Sequence, residues 1–161
     1  MSSYTAFSAL MSVQYDAIAS EKLRADHWRV VDGFKFYIGS ADSGEWVYVP
    51  AGYLTDGASV PQIFWSIIPP WGKYGQAAVV HDIVCEYLSI TKDGKPFSIT
   101  REVCDGILKQ AMEALDVPPV KVALIYNAVR AYRWFSGVSR PTTTKFKRSL
   151  EADWGNNAQA S

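Results

Sequence analysis

The chain has 161 residues, 48% of them hydrophobic, which is enough material for one domain with a single core. Its 16 basic and 16 acidic residues cancel, so the net charge gives no attraction to nucleic acid, and sequence-specific nucleic-acid binding is not expected. The sequence contains no run of about 18 apolar residues, so no membrane-spanning helix is predicted. The first residues show no secretory signal, and two cysteines without such a signal favour reduced thiols.

The first third of the chain is predicted to form β-structure. Residues 27–31 favour a strand, and in 34–38 the apolar side chains alternate onto one face. Glycine and small polar residues at 39–44 predict a hairpin loop, from which 45–49 would return as the next strand. Residues 12–20 are a weaker candidate for a further strand.

Most of the chain after Gly57 is predicted to be helical. Ser59, Pro61 and Gln62 match a capping box, which explains Ser59 as a helix N-cap rather than a nucleophile and opens a short helix to residue 68. Further helices are predicted over residues 74–89, 100–115, 118–135 and 145–152, with a turn at 92–96.

These elements predict an α+β fold. We expect an N-terminal antiparallel β-hairpin or small sheet packed on a C-terminal bundle of three to four helices. Residues 1–154 would form the single domain, and residues 155–161, which are rich in small and polar side chains, would be a disordered tail.

Two predicted helices carry an imidazole and two carboxylates. Helix 74–89 contains adjacent His81 and Asp82, and helix 100–115 contains Asp105. If the two helices pack antiparallel, Asp105 comes opposite His81, and a carboxylate bound to one imidazole nitrogen leaves the other free as a base. Asp82 could then bind a cation or hold a water molecule.

Two thiols accompany this group. Cys85 lies four residues after His81 on the same helix face, and Cys104 directly precedes Asp105. The two cysteines and His81 could supply three ligands to zinc, but close-spaced cysteine pairs are absent, which disfavours a zinc site.

Three further residues are candidates for the surroundings of the site. Asp56, in the sharp turn before the capping box, could reach the cavity at His81. Trp71 and Tyr87 are candidates for substrate contacts at its rim.

Two features have both a functional and a structural interpretation. A buried His81 bonded to a carboxylate could simply staple two helices. The segment 121–148 contains seven Lys and Arg residues and no Asp or Glu, which indicates either a solvated helix face and tail or a surface for an anionic partner.

Residues 49–61, 77–82 and the helix 100–112 resemble the signature of a phage and prophage family known as domain of unknown function 1353. The resemblance covers about residues 34–134. It implies a bacteriophage or prophage protein, located in the host cell cytoplasm or in the virion, with a virion component or a host protein as partner.

The His81-Asp82 pair and Cys104-Asp105 are also similar to the catalytic helix pair of the phospholipase A-two superfamily. In that superfamily the His is the general base that activates water, the adjacent Asp holds calcium, and the Asp of the second helix orients the His. The resemblance implies these roles for His81, Asp82 and Asp105, with calcium as cofactor. Secreted members link the two helices by a disulfide, which implies a disulfide or thiol pair of Cys85 and Cys104.

Two functions remain open from the sequence. The first is a hydrolase that cleaves an ester or amide of a lipid or envelope component. The alternative is a non-catalytic virion, tail accessory or host-protein-binding factor, in which the His/Asp cluster is structural. An open cleft at His81, Asp82 and Asp105 would favour the enzyme, and a sealed cluster would favour the staple.

Overall fold

The structure, a computed structural model, describes residues 6–57 and 74–158 and confirms the α+β class, with strands first and helices after them. The strands are β1 (Val13–Tyr15), β2 (Trp28–Val30), β3 (Phe34–Tyr37), β4 (Glu45–Val49), β5 (Leu54–Thr55), β6 (Ser89–Lys92) and β7 (Lys95–Ser98). The helices are α1 (Ala17–Leu23), α2 (Gly75–Tyr87), α3 (Arg101–Ala114), α4 (Pro119–Ser136) and α5 (Lys145–Ala158). The predicted helix at 62–68, with its capping box, lies outside the described residues.

The strands form two antiparallel sheets, where one small sheet was expected. One sheet has the order β1-β2-β5 and the other the order β3-β4-β6-β7. In the second sheet Phe34 pairs with Val49 and Phe36 with Val47, and all four side chains are buried. The alternation noted in the sequence is therefore the inward face of β3.

One predicted segment forms a different structure from that expected, and one predicted turn lies within a hairpin that was not predicted. Residues 12–20 give only the short strand β1, because Asp16 then caps α1 by accepting a hydrogen bond from the backbone N–H of Ala19 at 2.8 Å. The predicted turn at 92–96 is the tip of the β6–β7 hairpin. Asp93 and Gly94 both have positive φ, 49° and 77°, as two-residue hairpin turns require.

The helix boundaries follow local capping chemistry. Thr100 caps α3 as expected, since its hydroxyl accepts a hydrogen bond from the backbone N–H of Val103 at 3.3 Å. Gly137 ends α4 in the left-handed conformation. Helix α5 continues to Ala158, past residue 155, where the predicted tail begins.

Helix α2 occupies the centre of the molecule, where it contacts α3 and β4. Nine of its 13 residues are buried, including apolar residues on several sides. Around it lie the buried apolar residues of the inner faces of β3 and β4 and of α3 and α4. His81 is therefore carried on the most enclosed helix that the structure describes. None of the described helices combines the length and the apolar character needed to cross a membrane.

Helix α5 is held against the first sheet by a buried arginine. The Arg29 Nε donates to Asp16 at 2.7 Å, and one terminal nitrogen donates to the carbonyl oxygens of Gly52 and Leu150, both at 3.0 Å. Its guanidinium also lies over the Trp154 ring, 5.1 Å from the centroid. Arg29 thus joins α1, β2 and α5.

Candidate functional site

Helices α2 and α3 place His81 opposite Asp105. The His81 Nε2 lies 3.1 Å from Asp105 Oδ1, and the other carboxylate oxygen accepts a 2.7 Å hydrogen bond from Arg133 Nε on α4. The Asp105 side chain is only 2% exposed. A single buried carboxylate therefore joins three helices.

The charges of His81, Asp105 and Arg133, called the triad from here on, depend on one another. Burial alone would raise the pKa of Asp105, but hydrogen bonds from His81 and Arg133 outweigh it and hold that pKa below its usual value. Burial alone would lower the pKa of His81, but hydrogen bonds to Asp105 and Cys85 raise it to about 9. At neutral pH the triad therefore consists of an anion between two cations.

Asp82 lies on the neighbouring face of α2 in a different environment. Its Oδ2 accepts a 2.9 Å hydrogen bond from the hydroxyl of Thr55 in β5. Burial, and then repulsion from Asp56 and Glu86, raise the pKa of Asp82 well above its usual value, against the opposing effects of Thr55 and Lys147. Lys147 of α5 forms an ion pair with Glu86.

The two cysteines are free thiols next to the triad. Cys85 Sγ lies 3.4 Å from His81 Nε2, and the buried Cys104 donates to the carbonyl of Val84 at 3.4 Å. The hydrogen bond with Cys104, followed by burial, raises the pKa of the Cys85 thiol despite the proximity of His81. Both cysteines are present as free thiols.

These groups share one open cleft with a volume of about 370 Å³. The predicted site residues that line it are His81, Asp82, Asp105, Asp56 and Cys85. The cleft therefore reaches the cluster, although His81 and Asp105 themselves are only 5% and 2% exposed.

The structure separates one predicted rim residue, Tyr87, from this arrangement. Tyr87 does not line the cleft; it lines a pocket with Tyr48 and Ile83 instead. The reason is helical geometry, because six residues turn a side chain by about 240° from the direction of His81. Trp71 lies outside the described residues.

Three cations of the cleft were not among the predicted site residues. Arg101, Arg133 and Lys147 line it, together with Thr55 and Glu86. Arg133 and Lys147 belong to the basic segment 121–148, for which the sequence predicts either a solvated helix face and tail or a surface for an anionic partner. Their positive charge is visible in the sequence. The carboxylates that they pair with lie far away along the chain, so the pairing could not be predicted.

Calcium does not fit the residues that the structure describes. Calcium takes six to eight oxygen ligands. Within residues 6–57 and 74–158, no three His, Cys, Asp or Glu side chains are placed together to hold a metal ion. One Asp82 oxygen, moreover, is hydrogen-bonded to Thr55.

Comparison with known proteins gives a family and one curated relative. A family model described as "Protein of unknown function (DUF1353)" matches residues 20–129. Over 86 residues the chain is 42% identical to "Uncharacterized protein y4jT" of Sinorhizobium fredii (strain NBRC 101917 / NGR234). That match covers 52% of this chain and 23% of the relative, so the chain spans less than a quarter of its length. No solved structure matches.

Proposed function

The chain belongs to the DUF1353 family, whose description names no activity, and we propose from its cleft that it is a hydrolase of esters or amides. The observation that carries the proposal is the placement of His81, Asp82 and Asp105 in the wall of one open cavity of about 370 Å³. Cavities of this size accommodate small-molecule ligands or parts of larger ones. The proposed substrate is a lipid or cell-envelope component, and the proposed origin is a bacteriophage or prophage.

His81 is the general base in this proposal. Its Nε2 is occupied by Asp105, so Nδ1 is the nitrogen that accepts a proton from water. The resulting hydroxide adds to the substrate carbonyl carbon. Collapse of the tetrahedral intermediate breaks the bond to the alcohol or amine, which leaves with the proton returned by the imidazolium. Asp105 orients the ring, and Arg133 fixes Asp105 through the second carboxylate oxygen.

Asp82, in its protonated form, is the proposed donor to the developing oxyanion. Because its pKa is raised well above the usual value, its carboxyl group retains a proton to a higher pH than an exposed aspartate. A protonated carboxyl can donate a hydrogen bond to a carbonyl oxygen. The Thr55 hydroxyl, bonded to the other side of this group, holds its orientation.

The raised pKa of His81 predicts how the rate of hydrolysis depends on pH. A base must be neutral, and with a pKa of about 9 only about 1% of the imidazole is neutral at pH 7. The value of kcat/KM should therefore increase about tenfold per pH unit from pH 7 and level off above about 9.

The test is hydrolysis of a phospholipid and p-nitrophenyl ester panel from pH 7 to 10. His81→Gln should reduce kcat/KM by about 10²- to 10⁴-fold, the usual contribution of a general base. Asp105→Asn should lower it and shift the pH profile toward lower pH. Far-ultraviolet circular dichroism checks that the variants fold. Equal rates from wild type and His81→Gln would reject the proposal.

The second candidate, a virion accessory or host-protein-binding factor, is favoured by one observation. Trp134 and Phe135 near the end of α4 are 76% and 80% exposed, with their rings packed edge to face at 5.2 Å. In this proposal the aromatic pair contacts a virion or host protein and the triad only staples helices. Mass spectrometry of purified particles should then detect the protein, and His81→Gln should lower Tm while phage function follows the amount of folded protein.

A further inference from the structure

The cleft is lined by charges of both signs. Asp56, Asp82 and Glu86 line it together with the cation Lys147, which is paired with Glu86. Two arginines, Arg101 and Arg133, also line it, and the carboxylate of Asp105, already shared with His81, pairs with one of them. The two arginines therefore have an excess of donors.

Arg101, the first residue of α3, contributes to this excess. One of its terminal nitrogens donates to the carbonyl oxygen of Arg140 at 3.0 Å. Its Nε is buried and has no hydrogen-bond partner among the described residues, and no carboxylate in that part of the chain forms an ion pair with it. An unpaired buried donor is costly, so this guanidinium, which lines the cleft, would gain from a ligand that accepts a hydrogen bond from it.

Arg133 has the same excess of donors for a different reason. It binds Asp105 through Nε alone and is 28% exposed at its side chain. The described residues give its two terminal nitrogens no hydrogen bond. A guanidinium offers its donors as a planar fork that matches the oxygens of a phosphate or carboxylate.

We propose that Arg101 and Arg133 form a subsite for the anionic group, a phosphate or a carboxylate, of the molecule that enters this cleft. His81 shares the Asp105 carboxylate with Arg133, so it lies next to the subsite and would face the part of the ligand beside the anion. If the cleft is the hydrolase site proposed above, its substrates are esters or amides that carry an anionic group.

The binding test does not depend on hydrolysis. Inorganic phosphate, and acetate in parallel, are titrated into the full chain at pH 7 and low ionic strength by isothermal calorimetry. Arg101→Gln should weaken phosphate binding at least tenfold. The matched control is Arg130→Gln, because Arg130 is exposed on α4 one turn before Arg133 and its guanidinium lies over Tyr126. That variant should bind as the wild type does. Tighter binding of phosphate than of acetate would identify a phosphoryl group as the preferred anion, and the reverse a carboxylate.

A second measurement needs no substitution and applies even where Arg101→Gln fails to fold. In the wild-type protein, phosphate should shift the arginine Nε–Hε resonances of Arg101 and Arg133 and leave that of Arg130 unchanged. Absence of saturable binding to the wild type, or equal affinity in wild type and Arg101→Gln, would overturn the subsite. Phosphate binding at these arginines in a protein that hydrolyses neither anionic nor neutral esters would reject the hydrolase and retain the subsite.

Discussion

The Asp105 carboxylate is shared by two cations, so its charge determines the state of both. In Asp105→Asn the main interaction that favours the His81 imidazolium is lost while the burial remains, and the His81 pKa should fall from about 9 to its ordinary value or below. An NMR titration of the imidazole carbon-bound protons measures this, with the signals assigned through His81→Gln. A pKa that stays near 9 in Asp105→Asn would show that another group stabilises the imidazolium.

The same pKa predicts how stability depends on pH. Because the folded-state pKa of His81 is raised, its contribution is fully present below about pH 6.5 and is lost as the pH increases to about 9. The shift corresponds to about 3 kcal/mol of unfolding free energy. Urea denaturation of the wild type should lose this amount across that window. Asp105→Asn, which is destabilised at neutral pH, should show a flatter profile there.

For Asp82 we expect the opposite effect on stability: a neutral substitution there should not destabilise the fold. Its pKa is also raised, so the fold loses stability as the pH rises above the ordinary carboxyl range, because this carboxyl ionises more readily in the unfolded chain. Asp82→Asn removes this titrating group and keeps the shape, and at pH 8 it should be as stable as the wild type or more stable. The control is Asp42→Asn in the exposed loop between β3 and β4. A loss of stability only in Asp82→Asn at pH 8 would contradict this assignment.

At the scale of elements, α5 depends on Arg29. Arg29→Met leaves Asp16 without its partner and removes both hydrogen bonds to the carbonyls of Gly52 and Leu150. Removal of one partner of a buried ion pair costs about 3–5 kcal/mol. We expect a loss of that order in urea denaturation, and faster limited proteolysis within α5 than within α3.

A second substitution tests the same contact from the opposite side. Gly52 has a φ of +90°, and a Cβ there would lie 2.9 Å from the Trp154 ring and 3.1 Å from the Glu151 carbonyl oxygen. Gly52→Ala should therefore displace α5 and also strain the backbone. Gly39→Ala is the matched control, because Gly39 also has a positive φ, +80°, but a Cβ there meets no atom within 4 Å. Equal effects of the two substitutions would show that backbone strain, and not the contact with α5, is responsible.

Elements with strong local signals could be predicted from the sequence. The alternation in β3, the Thr100 cap of α3 and Gly137 at the end of α4 are determined by neighbouring residues. The β6–β7 hairpin was missed although Asp93-Gly94 is a hairpin turn signal. Pro96 argues against a central strand, but β7 is an edge strand, where proline is tolerated.

The same distinction applies to the site: features set by neighbouring residues could be predicted, and contacts between distant residues could not. The pairing of His81 with Asp105 could be anticipated because both lie on helices with recognisable limits. Arg133 and Lys147 bind carboxylates 28 and 61 residues away, so their direction depends on how α4 and α5 pack and not on any local pattern. The open cleft likewise results from packing. Its residues, but not its accessibility, could be read from the sequence.

At the scale of the whole molecule, the Asp105 contact predicts cooperative unfolding. Since one buried carboxylate binds residues of α2 and α4 and belongs to α3, local opening of any of these helices would leave a buried charge unpaired. Amide hydrogen exchange should therefore give core residues of all three helices one common opening free energy. The exposed strand β7 should open at lower cost. Separate opening energies for α2 and α4 in the wild type would contradict this.

Such cooperativity predicts the kinetics with which a ligand binds in the cleft. If α2, α3 and α4 open only together, the walls they provide do not fluctuate apart while the protein stays folded. A ligand must then enter a preformed space, and association should be fast and follow a single exponential. The same carboxylate that orients the imidazole would in this way remove slow conformational gating from the binding step.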